Sequence, residues 1–227
     1  MKLLLTSAGF TNMAIINALL SLVEKPLDEL KLAFIPTAAN VEEDDKGWLI
    51  DDMMNIKKLG LLSIDIVDIS ALSKEIVQKR LTAANIFVFG GGNTFHLMHW
   101  IEKSGLKDSL AELIKTRVYV GISAGSMVAT KSLVLSDSKM LYSEHTGGVD
   151  SMEGLGFVDF HIRPHLNSLF FPNVTVEKVG EIAQTVQESI YAIDDDTAIK
   201  VVDGAIQVVS EGKWKKYERR EADGKGF

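Results

Sequence analysis

The chain has no cysteine in 227 residues, which removes disulfides, thiolate metal sites and cysteine nucleophiles from consideration. It also lacks basic charge: 24 Lys and Arg stand against 31 Asp and Glu, a formal charge of -7 with a pI near 5.3. A nucleic-acid or anionic-membrane surface needs clustered cations to neutralise phosphate, so neither partner is expected. The one basic cluster, Lys213, Lys215, Lys216, Arg219 and Arg220, is interrupted by Glu218 and Glu221 and reads as a solvated tail. No apolar run is long enough to span a bilayer. The opening MKLLLTSAGF has too short an apolar stretch for a secretory signal, because Thr6 and Ser7 follow Leu5 at once, so the expected location is the cytoplasm. Linker-like composition, internal repeats and low-complexity segments are absent too. With 46% hydrophobic and 24% charged residues, the chain is expected to form one domain over residues 1–227.

What is present is an alternation of strand and helix patterns. KLLLTS (2–7) is a short apolar run, and Met13, Ile16, Leu19, Leu20 and Val23 then recur at helical spacing. KLAFIPTAA (31–39) reads as a second strand closed by Pro36, followed by a helix from Asn40, a plausible N-cap, to Gly60, a plausible C′ residue. SIDIVDI (63–69) alternates as a strand, 73–84 is helical, and NIFVFGGG (85–92) is a continuous apolar run of the kind buried parallel strands show. Two helical stretches lead into RVYVGIS (117–123), and helix formers follow Ser123. After residue 132 the pattern predicts strands at 132–136, 156–164, 189–194, 197–204 and 205–212, and a helix over 174–188. Asp203-Gly204 is a favoured hairpin turn between two of those strands. Such alternation implies an α/β fold of three layers, with a mostly parallel sheet flanked by helices. Ligands on such sheets sit at the carboxyl ends of the strands, where both GGGN (90–93) and Ser123 fall.

Gly121-Ile122-Ser123-Ala124-Gly125 fits the nucleophile-elbow pattern G-x-S-x-G. Small residues let strand and helix approach through a sharp turn that presents the serine hydroxyl above the sheet, and the helix start beneath offers N–H groups to a developing oxyanion. The same small residues would also serve simply to pack a tight turn. Three glycines at 90–92 bring a second backbone segment to the same edge, with N–H groups that could join that of Ala124. A phosphate loop competes for these glycines, but neither GK[ST] nor a G-x-G-x-x-G fingerprint with its distant acid is present.

A serine nucleophile needs a base, and there are five histidines: His96, His99, His145, His161 and His165. His96 and His99 lie on a helical stretch, His145 in a polar loop, and His161 between Phe160 and Ile162 on a strand. His165 follows Pro164 at a strand end, where the backbone is held. For the third member, Asp137 is the first acid after the elbow, while Asp150, Asp159 and Asp194 compete. The run Ile193-Asp194-Asp195-Asp196 reads as a turn rather than a metal site, and neither a metal nor another cofactor is called for.

In order along the chain, GGGNTFHL, GISAGS and GLGFVDFHIRPHL resemble the peptidase E family of serine peptidases, which includes aspartyl dipeptidases and cyanophycinases. The resemblance implies a fold like that of the class I glutamine amidotransferases (flavodoxin-like), with hydrolysis of small peptides through an acyl-enzyme. It matches Ser123 to the nucleophile, His165 to the base, Asp137 to the neighbourhood of the triad aspartate, and Gly92 and Ala124 to the oxyanion hole. Two departures stand out. Arg163 replaces the asparagine of the dipeptidases' Asn-Pro-His element, and Val176 lies about where they carry an arginine for aspartyl recognition. Asn93 and Arg163 are the substrate-binding candidates, Arg163 as a source of the missing charge. The alternatives are an esterase of the α/β-hydrolase fold, against which the short chain counts, and a ligand-binding protein that keeps the corner for packing.

Overall fold

A computed structural model describes residues 1–43, 45–137, 140–142, 144 and 151–219. Five strands, β1 (Lys2–Thr6), β2 (Lys31–Ile35), β3 (Ser63–Ile66), β4 (Ile86–Phe89) and β5 (Val118–Ile122), pair in parallel in the order β3-β2-β4-β5-β1. Between them run α1 (Met13–Leu22), α2 (Gly47–Lys58), α3 (Lys74–Ala83), α4 (Thr94–Lys103) and α5 (Leu106–Leu113). Ser123 then turns the chain into the short α6 (Ala124–Met127).

Alternation along each strand divides the core. Leu4, Leu32, Phe34, Ile86, Val88, Val120 and Ile122 face one side, where α1 and Ile56 of α2 cover them. Leu3, Leu5, Ala33, Ile35, Phe87, Phe89 and Tyr119 face the other, against α3, α4 and α5. Both faces are therefore apolar, which is why β4 and β5 read as unbroken hydrophobic runs. At the outer edge, Ile64 and Ile66 of β3 are exposed.

The return half begins with β6 (His161–Arg163) and α7 (Val176–Ile182), followed by β7 (Ile190–Ile193), β8 (Thr197–Val202), β9 (Ala205–Ser210) and β10 (Trp214–Tyr217). β8 adds antiparallel to β1 and β9 to β8, completing a seven-stranded sheet, while β10, β7 and β6 form a separate three-stranded one. The expected β8-β9 hairpin is present, with Asp203 and Gly204 both at positive φ (48° and 86°) as a tight reversal requires.

Three expectations shift. The second long helix starts at Gly47 rather than Asn40, because the Asn40 amide donates to Asp68 and Ser70 instead of capping, and residues 37–41 form a 3-10 turn. The apolar stretch 132–136 buries Leu133 and Leu135 but finds only an isolated bridge from Ser132 to Glu153, so its side chains reach the core without a ladder. α7 is short, capped by Thr175 and unwinding after Ile182 into i→i+3 bonds. No helix among the described residues is long and apolar enough to cross a membrane.

Candidate active site

Ser123 stands between the carboxyl end of β5 and α6 at φ 49° and ψ -107°, a strained region for a residue with a side chain. The strain is held by neighbours: Ser123 N–H donates to the Thr6 carbonyl, the Ser126 hydroxyl donates to the same oxygen, and the Ser123 carbonyl accepts from Ser126 and Met127. Gly125 makes the corner possible, since a Cβ there would lie 2.0 Å from the Phe89 carbonyl oxygen. The glycine segment after β4 passes beside the serine: a Cβ on Gly91 would be 3.5 Å from that of Ser123 and 3.6 Å from the Trp48 ring. Gly92, at φ 123°, lies so close to Ala38 that a Cβ would be 2.3 Å from its carbonyl oxygen.

His165 brings its ring to the same corner. It too has positive φ (64°), directly after Pro164, and its backbone N–H donates to the Ser7 hydroxyl at 2.8 Å. Nε2 lies 2.9 Å from Ser123 Oγ, and Nδ1 lies 2.7 Å from Asp195 Oδ1. Ser7 donates to that same carboxylate oxygen at 2.7 Å, and Phe171 stacks flat on the imidazole, 4.3 Å between centroids at 7°. Tyr142 meets Phe171 edge-on at 5.2 Å. Burial acts to raise the Asp195 pKa, but hydrogen bonds from and attraction to His165, with bonds from Ser7 and Ser168, outweigh it and hold the carboxyl below its ordinary value. The result is a serine, an imidazole and an ionised carboxylate joined end to end. In that line Nδ1–H faces the carboxylate, leaving the Nε2 lone pair to the serine hydroxyl.

The sequence pattern of peptidase family S51 matches residues 3–209. The chain belongs to that family. Within peptidase family S51, a protein named peptidase E from Nostoc sp. PCC 7120 is 29% identical over 185 residues, 79% of this chain and 72% of its own. A peptidase of Listeria monocytogenes EGD-e without an assigned substrate is 29% identical over 177 residues, 78% and 84% of the two chains. A crystal structure described as a candidate peptidase E from the same organism superposes with a TM-score of 0.77 at 25% identity, covering 93% of this chain and 98% of that one. The chain is thus a serine-type peptidase with the class I glutamine amidotransferase-like fold.

The structure brings Ser123 and His165 together and leaves Asp137 out. Asp137 is exposed on a bend after Ser136, and the oxygen facing His165 Nδ1 belongs to Asp195. This placement has a plain cause. β8 lies beside β1, so the turn between β7 and β8 is delivered to the strand ends where Ser7 and Ser123 lie, and the first acid after the elbow is not. Within the acidic run the roles divide: Asp194 accepts from Thr197 Oγ1 and the Asp196 N–H, Asp195 faces His165, and Asp196 is exposed. Asp159 is exposed, while Asp150 and His145 lie outside the described residues. His161 is buried opposite Glu188 at 3.6 Å, and His96 and His99 pack edge-on to Trp100.

The two substrate-binding candidates are both internal. Asn93 is 5% exposed and caps α4, accepting from the His96 N–H. Arg163 is 2% exposed, donates to the Leu135 carbonyl at 3.1 Å, and has Glu144 and Tyr142 as its charge neighbours. Glu144 is held at the start of α4 by the Thr94 N–H and hydroxyl. Burial pushes its carboxyl up to about 7 against those bonds and the Arg163 charge, and the same burial brings Arg163 down to about 10. Arg163 thus lies in the interior beside Leu135, Tyr142 and Glu144.

Ser7 and Asp195 went unread in the sequence. Asp195 sits in a run that reads as a turn, and Ser7 is one of many serines. The only available signal was position: both lie at strand ends on the edge that carries Ser123.

Proposed function

We propose that the chain hydrolyses small peptides with Ser123 as nucleophile, His165 as general base and Asp195 as the group that orients and charge-stabilises the imidazole. The observation that carries this reading is the unbroken line Ser123 Oγ, His165 Nε2 at 2.9 Å, and His165 Nδ1 to Asp195 at 2.7 Å. His165 takes the hydroxyl proton as Ser123 attacks the peptide carbonyl, and the imidazolium that forms lies against an ionised carboxylate. The N–H groups of Gly92 and Ala124 are assigned to the oxyanion. Gly91 packs against Ser123 and Ala124 begins α6, so both segments border the reacting carbon. His165 then returns its proton to the departing amine, and water repeats the sequence on the acyl-enzyme.

Dipeptides are the proposed substrate class, as names borne by relatives suggest. An aspartyl preference would need a cation at the surface of the site, and buried Arg163 does not supply one. Release of free amino acid from a dipeptide panel, with Asp-Xaa and β-aspartyl members, by wild type and Ser123→Ala tests the reading. Activity lost in the variant supports it. Equal activity in both proteins would require a different nucleophile.

A further inference from the structure

One buried acid near the corner has no partner. Asp52 lies on α2, one turn after Trp48, whose ring borders Gly91. It is 9% exposed, yet among the described residues no group donates a hydrogen bond to its carboxyl and no cation pairs with it. The carboxyl faces the backbone of the loop after β1 and the residue before the nucleophile: a Cβ on Gly9 would lie 3.1 Å from both Asp52 Oδ1 and Ile122 Cδ1. Burial, with a smaller contribution from Asp51, raises its pKa to about 7. A folded chain rarely keeps such a group without use, because a buried acid without a partner lowers stability more than a leucine there would.

Its position suggests the use. His165 reaches Ser123 from the face of the main sheet where Ile162, Leu166 and Ile193 belong to one core, whereas α2 packs on the opposite face with α1. The leaving amine takes its proton from His165, so the acyl half of a peptide extends away from the imidazole, and Trp48 of α2 borders Gly91 beside Ser123. In a dipeptide that half ends in an α-ammonium group, a cation with three donors and no acceptor.

We propose that Asp52 is a specificity residue that receives the α-ammonium group of the substrate's N-terminal residue, so that the site accepts peptides with a free amino terminus. The inference rests on the peptidase reading above, and it deepens it by naming the feature of the substrate that is recognised. A largely buried carboxylate that no protein group already engages attracts such a cation strongly, because solvent screens the pair only weakly. The arrangement also explains how a site with no described cation near Ser123 can select small peptides: selection falls on the amine end.

The test uses binding and turnover separately. In the Ser123→Ala protein, calorimetry with an Ala-Leu dipeptide and with its N-acetyl form reads recognition without hydrolysis. The free dipeptide is expected to bind at least about 30-fold more tightly, and adding Asp52→Asn should remove most of that preference. Asp51→Asn, an exposed neighbour carrying the same charge, should leave it unchanged. With Ser123 intact, Asp52→Asn should raise KM for the free dipeptide with little change in kcat, while the rate of labelling by an uncharged serine-directed phosphonate stays at the wild-type value. Equal binding of free and acetylated peptide, or a preference that survives Asp52→Asn, would overturn the inference. Loss of turnover in the wild type with the binding preference intact would count against the catalytic reading alone.

Discussion

The two halves of the site are built differently. Ser123 belongs to the regular half: β5 is fully buried between parallel neighbours, and the corner is held by main-chain bonds to Thr6 and by the contact of Gly125 with Phe89. His165 and Asp195 belong to the return half, where β6 has three residues and the described residues between α6 and β6 make only an isolated bridge. There, alignment depends on a few side chains, chiefly Ser7, which bonds both the His165 backbone and the Asp195 carboxylate. A nucleophile's position can follow from local βα packing, but the base and its acid must be carried in by distant chain and fastened.

Experiments can sharpen that contrast. Ser123→Ala should lower kcat by about 10⁴ to 10⁶ with the fold unchanged. A drop below tenfold, measured on the best dipeptide, would remove Ser123 from the mechanism. Asp195→Asn should cost on the order of 10⁴ in kcat by disturbing the imidazole tautomer, whereas Asp137→Asn should stay within about twofold, since Asp137 is exposed and it is Asp195 that faces His165 Nδ1. The reverse result would return the third position to Asp137. Ser7→Ala leaves both catalytic partners in place but loosens them, so roughly a tenfold loss in kcat is expected, with thermal stability near that of the wild type.

The smallest effect concerns pH and stability. Glu144 and Asp52 hold their protons more tightly in the folded chain, with values near 7 against ordinary ones of 4.5 and 3.8. Their contribution is therefore complete below those ordinary values and is lost as pH rises through about 7. Asp195 works in the opposite sense: its lowered value means a contribution present above 3.8 and lost as pH falls further. Unfolding free energy should decline between about pH 4 and 7, and Asp52→Asn should flatten the decline, stabilising the protein by about 1–3 kcal/mol at pH 8 and little at pH 4. Denaturant curves at the two pH values check this, and a wild type more stable at pH 8 would contradict the assignment.

How much was legible in the sequence follows the same division. The parallel half could be read almost element by element, because apolar runs such as Ile86–Phe89 and helical spacing such as that from Met13 to Leu22 are local patterns. The return half was over-read as strand: Leu133, Leu135, Val158 and Phe160 are buried, but burial in a core can be met without a ladder. At the site, G-x-S-x-G marked Ser123 because a strained corner demands small neighbours, and Pro164 marked His165 because it ends a strand.

The amino-acid sequence by itself determined the layered α/β architecture, the serine at its corner and the absence of cysteine chemistry, since each depends on residues close together in the chain. Only the tertiary structure decided that Asp195 rather than Asp137 faces His165, that Ser7 ties them, and that Arg163 turns inward while Asp52 stands unpartnered. These depend on β8 lying beside β1 and on which face of the sheet each helix covers. Such pairings join residues as far apart as Ser7 and Asp195, and no local pattern carries them.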